Sequence, residues 1–337
     1  MPTANMTTYG DISPRTAAYA AKEMLKRAEP LLVLEKFGQA RPLPKNSSTT
    51  IKFRRYEALD PTPMPLTEGV TPAGKKLSVT DVTATLQQYG DYVTITDVVQ
   101  DTHEDPVLRE AMATTGEQAA QMYELVRYGV LNGGTNAFYA GGATSRANVA
   151  SGFTLALQRQ VTAALRRQNA RPITSIVSAS PNFGTHAIPS SYIAVCHVDL
   201  DSTLRDTKGF VSVENYGSDM QAMPGEIGSI EGVRYIGTTL AMPYADAGTG
   251  TATDWMSTGG SKPDVYPILY FAKDSYGLVP LKGKSAVSPM VLNPNTPRGG
   301  DPLGQRGSIG WKGYTTACIL NDLWMARAEV LVSAKFE

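Results

Sequence analysis

The sequence predicts an α+β fold in which long elements come first and short strands follow. Two strand-like arms separated by a proline-rich stretch occupy residues 47–99, and a long helical pattern follows over residues 101–134. From residue 173 onward, short β runs alternate with Gly/Pro turns. The chain has 337 residues, of which 42% are apolar, so it can bury a sizeable core in two domains or one elaborate domain.

The composition argues against several classes of protein. Lys+Arg and Asp+Glu both number 31, and a protein that binds nucleic acid through phosphates usually has a basic excess. Cys196 and Cys318 are far apart and lack metal-ligand spacing, so free thiols in a reducing compartment are predicted. There is no signal-peptide pattern and no apolar run of membrane-spanning length. We therefore expect a soluble chain made in the cytoplasm, without a cofactor or a membrane partner.

The N-terminal region predicts an arm that needs another surface. Residues 14–28 have a helical pattern, with Pro14 in the first turn and a narrow stripe of small and apolar residues from Ala17 to Leu25. The opposite face is charged, so this helix buries little by itself. We expect it to lie on the body of the protein or on a neighbouring molecule.

The two arms predict a long hairpin. Ser47–Glu57 alternates apolar and polar residues, and Lys76–Val99 alternates with slips near Asp81 and Gly90, where we expect bends or bulges. Between them, Ala58–Gly74 contains four prolines, which prevent regular pairing. A fully extended arm of this length would approach roughly 80 Å, too long for a compact domain of this size. Such an element is suited to contacting a neighbouring subunit.

Two helices are predicted after the hairpin. The first covers Asp101–Gly134, with Asp105–Pro106 near its start and Gly133-Gly134 as its stop. Its expected apolar stripe is formed by Leu108, Met112, Thr115, Ala119, Met122, Val126 and Val130. The second helix, Thr154–Gln168, ends in a basic cluster that suits a helix C-terminus.

Short strands are predicted in the remaining sequence. The candidates are Ile173–Val177, Tyr192–Val198, Val233–Leu240, Tyr266–Phe271, Tyr276–Pro280 and Thr315–Ala334. Ala245–Pro263 is rich in Gly, Thr, Ser and Asp, and is predicted to be a mobile surface loop.

Candidate chemistry is sparse. His197 and Asp199 form an HxD pair that would share one face of a strand, with Ser190 and Ser191 nearby. No GxSxG elbow or third metal ligand accompanies them, so polar residues at a strand end are the preferred interpretation. The glycines of Gly133–Gly142 lack the GK[ST] of a phosphate loop. We predict no catalytic, cofactor-binding or metal-binding residues and no enzymatic activity.

Six sequence segments, taken in their order along the chain, carry a family resemblance. They are IKFRRYEAL at Ile51–Leu59, PLTEGVTPAG at Pro65–Gly74, QYGDYVTITD at Gln88–Asp97, PGEIGSIEGVRY at Pro224–Tyr235, DPLGQRGSIGWKGY at Asp301–Tyr314 and LNDLWMARAEV at Leu320–Val330. Together with the order of arm, hairpin and long helix, they resemble the major capsid proteins of tailed double-stranded DNA bacteriophages. These proteins have the Hong Kong 97-like fold, and the sequence of the six segments resembles the branch that includes the coat protein of phage N4.

The resemblance implies a domain layout. It assigns an N-terminal arm to 1–46, an extended β-hairpin loop to 47–99 and a peripheral domain with its spine helix to 100–150. Residues 151–290 would form mainly the axial domain, and 291–337 would return to the peripheral domain. The protein would self-assemble into hexamers and pentamers of an icosahedral shell around the double-stranded DNA genome.

The resemblance also implies partners and a location. The chain would bind copies of itself, a portal and a separate scaffolding protein, touch packaged DNA through weak non-specific contacts, and accept decoration proteins in some members. It would reside in the virion capsid after assembly in the host bacterial cytoplasm.

The resemblance does not assign individual contact residues. The charged residues on or near the hairpin that we expect at subunit contacts are Arg54, Arg55, Glu68, Lys75 and Lys76. Neither of the two lysines can be aligned with the cross-linking lysine of the founding member. One alternative is an encapsulin-like cellular compartment, and a more distant one is a soluble α+β hydrolase that uses His197, Asp199 and Ser190 or Ser191.

Overall fold

A computed structural model describes residues 32–335, apart from 47, 67, 73, 103–106, 174–189, 217–221, 252, 283–287, 296 and 298–299. The helix predicted at 14–28, the helix start at 105–106 and most of the strand predicted at Ile173–Val177 lie outside these residues.

The described residues combine helices and strands along the whole chain. The strands are β1 (Gln39–Ala40), β2 (Thr50–Tyr56), β3 (Val79–Thr85), β4 (Gln87–Thr96), β5 (Ala137–Tyr139), β6 (Tyr192–His197), β7 (Val211–Ser212), β8 (Glu226–Ile230), β9 (Val233–Thr238), β10 (Tyr266–Phe271), β11 (Tyr276–Leu278), β12 (Ser288–Leu292), β13 (Arg306–Thr315), β14 (Ala317–Ile319) and β15 (Met325–Val330). The α-helices are α1 (Asp97–Thr102), α2 (Val107–Leu131), α3 (Leu155–Arg167) and α4 (Asp201–Arg205). Short 3-10 turns include Leu34–Lys36, Val198–Leu200 and Asp322–Trp324.

The largest sheet has the order β5-β15-β10-β6-β9-β8-β7 and mixes parallel and antiparallel pairs. Its central strands are buried on both faces, as the uninterrupted apolar run of β10 requires. Alternate residues of β6 show the division, because Ala194 packs in one hydrophobic cluster and Ile193 and Val195 pack in another. Side chains of α3 cover the first face, while Tyr128 and Leu131 of α2 help to cover the second.

Helix α3 follows the prediction closely. Thr154 is the N-cap, and its hydroxyl accepts a hydrogen bond from the backbone N–H of Leu157 at 3.3 Å. Its buried face includes Leu157, Val161 and Leu165. The helix therefore begins and ends where local sequence signals place it.

Helix α2 packs against a smaller sheet of order β12-β13-β4. Tyr123 meets Trp311 of β13 edge-to-face, with ring centroids 5.7 Å apart. The predicted apolar stripe holds at Met112 and Ala119 but is wrong at Val130, which is exposed. The C-terminal half of α2 instead turns polar side chains inward.

Two of these polar side chains are Glu124 and Arg127, both buried. The Glu124 carboxylate accepts hydrogen bonds from the backbone N–H groups of Val33 and Leu34 at 3.1–3.2 Å. Arg127 pairs with Glu124 at 3.5 Å and with Glu35 at 3.3 Å. Burial raises the pKa of Glu124, against the opposing effects of Arg127 and the two backbone donors. This cluster anchors the segment that precedes β1 to the C-terminal half of α2.

The two arms of the predicted hairpin pair over a shorter length than the sequence indicates. β2 and β3 pair without interruption from Thr50↔Thr85 to Tyr56↔Val79, and β4 pairs instead with β13, from Gln87↔Thr315 to Thr96↔Arg306. The prediction of bulges near Asp81 and Gly90 is therefore wrong, because both strands keep an uninterrupted register there. The change of buried side occurs at Leu86, where the chain leaves one sheet for the other. The apparent slip near Asp81 arises because Val79 lies on the exposed side of β3.

The C-terminal prediction also needs correction. The single strand expected over Thr315–Ala334 is instead the end of β13, then β14, a 3-10 turn and β15. β8, β12 and β13 were not predicted, because their runs contain Gly or Pro. The described residues of 245–263 form no helix or strand, but Asp246 and the adjacent Asp264 accept several hydrogen bonds from this segment.

Candidate subunit-contact surface

The hairpin projects from a base that is packed into the subunit. Phe53 of β2 is buried with Leu43, Val279 and Cys318. A Cβ atom at Gly277 would lie only 3.0 Å from the Phe53 ring, so a glycine permits this close approach. The base of the hairpin is therefore fixed in position.

Charged and polar cross-links continue up the hairpin stem. Arg54 donates two hydrogen bonds to Asp81 at 2.9 and 3.2 Å. Glu57 accepts hydrogen bonds from the hydroxyls of Thr80 at 2.6 Å and Ser78 at 3.2 Å. These donors lower the pKa of Asp81 and of Glu57. The cross-links favour one register of the stem although its side chains are in solvent.

A further cross-link closes the loop beyond the stem. Asp60 accepts hydrogen bonds from the backbone N–H and hydroxyl of Thr62, at 3.1 and 2.6 Å. Lys75 reaches across from the returning segment, before β3, and donates to the Asp60 carbonyl oxygen at 2.5 Å. The Thr62 hydroxyl and N–H, followed by Lys75, lower the pKa of Asp60. The two ends of the loop are thus held together, and the stretch between them is displayed as a unit.

Apolar side chains of this hairpin loop point into solvent. Met64, Leu66 and Val70 are 54%, 76% and 63% exposed. Tyr56, Leu59, Leu77 and Val79 are also exposed along the same segment. An isolated exposed leucine needs no explanation, but a chain of apolar residues on a projecting loop is typical of a contact surface.

The predicted contact residues are distributed unevenly over this hairpin. Arg54 and Lys75 are exposed but bonded within the hairpin, and Lys76 is exposed next to Lys75. Glu68 is exposed in a turn at the loop tip. Arg55 donates to the carbonyl oxygen of Leu320 at 3.5 Å, so its side chain is directed towards its own subunit. Their role in subunit contacts stays a prediction.

Sequence reasoning missed the apolar residues of the loop as contact candidates, because it concentrated on charged residues. The signal was present: Met64 and Leu66 lie among prolines, in a stretch that cannot pair as a strand and therefore cannot bury them in a sheet.

The HxD pair forms a small polar cluster. His197 ends β6, and Asp199 folds back in the following 3-10 turn, so the two do not share a strand face as expected. His197 Nδ1 lies 3.0 Å from Asp199 Oδ2, which also accepts a hydrogen bond from the Tyr266 hydroxyl at 2.9 Å. Burial, followed by the Asp199 carboxylate, raises the pKa of Tyr266. The cluster caps the end of the central sheet.

The serines cannot complete a hydrolase site with this pair. Ser191 lies immediately before β6, whereas His197 is the last residue of that strand. Six residues of extended chain separate them by roughly 20 Å. A catalytic serine must hydrogen-bond to its histidine, so this arrangement does not support the hydrolase alternative.

Other side chains that could take part in chemistry are held in ion pairs or are buried. Glu226 pairs with Arg234 at 3.2 Å, and Asp201 pairs with Arg205 at 2.8 Å. Cys196 and Cys318 are free and buried, which raises the pKa of Cys196 to about 12.

Metal-ligand clusters and membrane-crossing helices are both missing from the described residues. No group of three or more His, Cys, Asp or Glu side chains in this part of the chain could hold a metal ion. Among the helices described above, none combines the length and apolar character that a membrane crossing requires.

Comparison with known proteins gives a consistent answer. A family model described as phage capsid protein matches residues 79–328. No curated protein matches. Many solved structures do match, among them capsids of a Ralstonia phage, a cyanophage and a Helicobacter pylori bacteriophage.

These three structures cover most of the chain. The capsid of Ralstonia phage GP4 is 13% identical, with a TM-score of 0.65 over 88% of this chain and 87% of its own. The capsid of cyanophage Pam1 is 15% identical, with a TM-score of 0.60 over 92% and 93%. The capsid structure of Helicobacter pylori bacteriophage KHP30 is 11% identical, with a TM-score of 0.58 over 98% and 100%. The similarity of fold therefore extends over nearly the whole subunit.

The subunit is a mixed α+β structure with a projecting, apolar hairpin and a long helix beside a sheet. Together with the similar capsid structures, these features define a shell-forming structural protein of the Hong Kong 97-like class. The chain belongs to the phage capsid protein family and is a major capsid protein of a phage shell. Both the fold class and the family expected from the sequence are confirmed, whereas the phage N4 branch stays a prediction.

Proposed function

We propose that this protein forms the hexamers and pentamers of an icosahedral shell that encloses a double-stranded DNA genome, and that its hairpin loop lies on a neighbouring subunit. The observation that carries the proposal is the set of exposed apolar side chains at Met64, Leu66 and Val70, on a loop closed by the Asp60–Lys75 cross-link. Burying this set against another copy would remove apolar surface from water, which is the main driving force of association.

The proposal includes the domain layout expected from the sequence. Residues 1–46 act as the N-terminal arm and 47–99 as the extended loop. Residues 100–150 form the peripheral domain with α2 as its spine, 151–290 mainly the axial domain, and 291–337 the return to the peripheral domain. The packing of α2 on the β12-β13-β4 sheet supports the joining of the second peripheral segment to the first.

Partners and location are part of the same proposal. The shell binds a portal and a separate scaffolding protein, holds its DNA by weak non-specific contacts, and accepts a decoration protein if the phage encodes one. Assembly takes place in the cytoplasm of the host bacterium. The protein has no enzymatic role, which the separation of Ser191 from His197 supports.

The test replaces Pro61–Pro72 with a short Gly-Ser linker between the ends that Asp60 and Lys75 hold together. The expected product is soluble, folded protein that forms no shells in electron microscopy, because the loop contributes exposed rather than buried side chains to its own subunit. Normal shells from this variant would contradict the proposal.

A matched pair of point variants sharpens the result. Leu66 and Leu303 are both 76% exposed, but only Leu66 lies on the loop. Leu66→Asp is expected to block assembly and Leu303→Asp to permit it. Particle contents then separate a virion from a cellular compartment: nuclease-protected DNA supports the proposal, and a packaged enzyme contradicts it.

A further inference from the structure

A groove of about 550 Å³ crosses the outer face of the β12-β13-β4 sheet, on the side opposite α2. Its floor is Gly310 of β13, which pairs with Met290 on one side and Tyr92 on the other. Alternation along each strand places these two side chains on the same outer face. The groove therefore consists of a glycine floor between two bulky walls.

Glycine is required for this floor. A Cβ atom at Gly310 would lie 2.7 Å from the Asp91 carbonyl oxygen and 2.7 Å from the Tyr92 Cβ atom. A Cβ atom at Gly90, one row away, would lie 2.7 Å from the Trp311 carbonyl oxygen. Since neither position can carry a side chain without moving backbone, the groove depends on glycine at both positions.

The groove has two apolar walls and one cation, and Gln88 and Ser308 add polar groups to its lining. Tyr92 is 69% exposed and Met290 is 53% exposed, so both walls present apolar surface to solvent. Lys312 lines the same groove and pairs with Gly90 in the next row. Asp91 also lines it, but its Oδ2 atom accepts a hydrogen bond from Gln118 of α2 at 2.6 Å, which turns it towards the helix.

The hairpin loop has the complementary chemistry. Between residues 61 and 74 it has one charged side chain, Glu68, and exposed apolar side chains at Met64, Leu66 and Val70. Prolines at every second position from 61 to 65 favour an extended polyproline-like backbone. Such segments bind in grooves with aromatic walls because their conformation is already fixed before binding.

We propose that the loop tip of one subunit docks in the glycine-floored groove of a second copy. Its apolar side chains lie between Tyr92 and Met290, and Glu68 pairs with Lys312. The exposure of the tip residues and of both walls in a single chain shows that the loop does not fill its own groove. This inference rests on the proposed function and specifies the receiving surface of the neighbouring subunit.

A charge exchange tests the pairing. Glu68→Lys and Lys312→Glu are each expected to reduce shell yield at least about tenfold, because each brings like charges together in the contact. The double variant Glu68→Lys/Lys312→Glu is expected to restore assembly. Lys208→Glu, a charge reversal at an exposed residue outside the groove, is the control that keeps normal yield.

Cysteine cross-linking tests the contact directly. In assembled shells of the variant Glu68→Cys/Lys312→Cys, oxidation is expected to give a ladder of covalent oligomers, while either single variant gives monomers. The native cysteines are buried and do not compete. A disulfide formed within one chain, or no disulfide at all, would overturn the docking proposal.

The outcomes separate this inference from the proposed function. If Glu68→Lys and Lys312→Glu both assemble normally while Leu66→Asp does not, the loop mediates assembly through another surface and the groove assignment is wrong. If the unmodified protein forms no shells with its assembly partners, the proposed function itself fails.

Discussion

The buried carboxylate of Glu329 offers the sharpest test of how this subunit is held together. It lies on β15 with no solvent exposure and accepts two hydrogen bonds from Arg146, at 2.7 and 2.8 Å, and one from Arg327 at 2.7 Å. Arg327 in turn donates to the carbonyl oxygens of Asn132 and Gly134, just beyond the end of α2. Glu329 therefore links the central sheet to the C-terminal end of the long helix.

Glu329→Gln keeps the shape of the side chain but removes its charge. The amide group then places N–H donors against guanidinium donors, and two cations lose their counter-ion. Breaking a buried ion pair by changing one partner costs about 3–5 kcal/mol. The Arg146 side chain remains 32% exposed, so water can solvate it in the variant. We therefore expect the free energy of unfolding to fall by about 3 kcal/mol, near the lower end of this range.

Urea unfolding of unassembled subunits, followed by tryptophan fluorescence, measures this loss. Trp255 and Trp324 pack against the core of the same sheet and report its unfolding. The matched control is Glu231→Gln, which removes a similar pair with Arg159 at the surface and should leave the unfolding midpoint nearly unchanged. A loss below about 1 kcal/mol for Glu329→Gln would refute the reasoning from burial.

Three further predictions follow from single features. Thr154→Ala should lower the free energy of unfolding by about 1 kcal/mol in the same urea assay, because α3 loses its N-cap; no measurable change would contradict the assigned cap. Cys196 and Cys318 should resist alkylation at pH 8 in native shells and react only after denaturation. The reason is that burial raises the pKa of Cys318 to about 11 and that of Cys196 further. Rapid labelling of native shells would contradict this prediction, because it would show that the thiols are accessible. The folded-state pKa values of Glu57 and Asp81 lie below their ordinary values, so their cross-links are intact above about pH 4 and lost as the pH falls through the lowered values. Pepsin cleavage within the hairpin, normalised to a reference peptide, should therefore accelerate below pH 4, and a rate independent of pH would argue against this stabilisation.

Local signals explain why parts of the fold could be predicted. The N-cap at Thr154, the glycine stop after Leu131 and the apolar run of β10 each act within a few residues, and the structure has these elements where the sequence indicates them. The exposed hairpin loop was also predictable, because prolines from 61 to 72 prevent pairing wherever they occur.

Contacts between distant residues explain the errors. Periodicity assigned Val130 to the buried face of α2, whereas the structure buries Glu124, whose partners Val33 and Leu34 lie about ninety residues away. A buried charge is stable only with such partners, and the sequence of the helix alone does not reveal them.

The sequence by itself determined the type of protein, through the order of its motifs and elements, and the existence of a proline-stiffened loop on a hairpin. Only the tertiary structure decided what each element pairs with. The second arm changes partner at Leu86, and Gly310 and Gly90 become the floor of a groove only when β4 lies beside β13. The physical reason is that helix caps, strand alternation and proline effects depend on neighbouring residues, whereas the pairing of β4 with β13 joins segments more than two hundred residues apart.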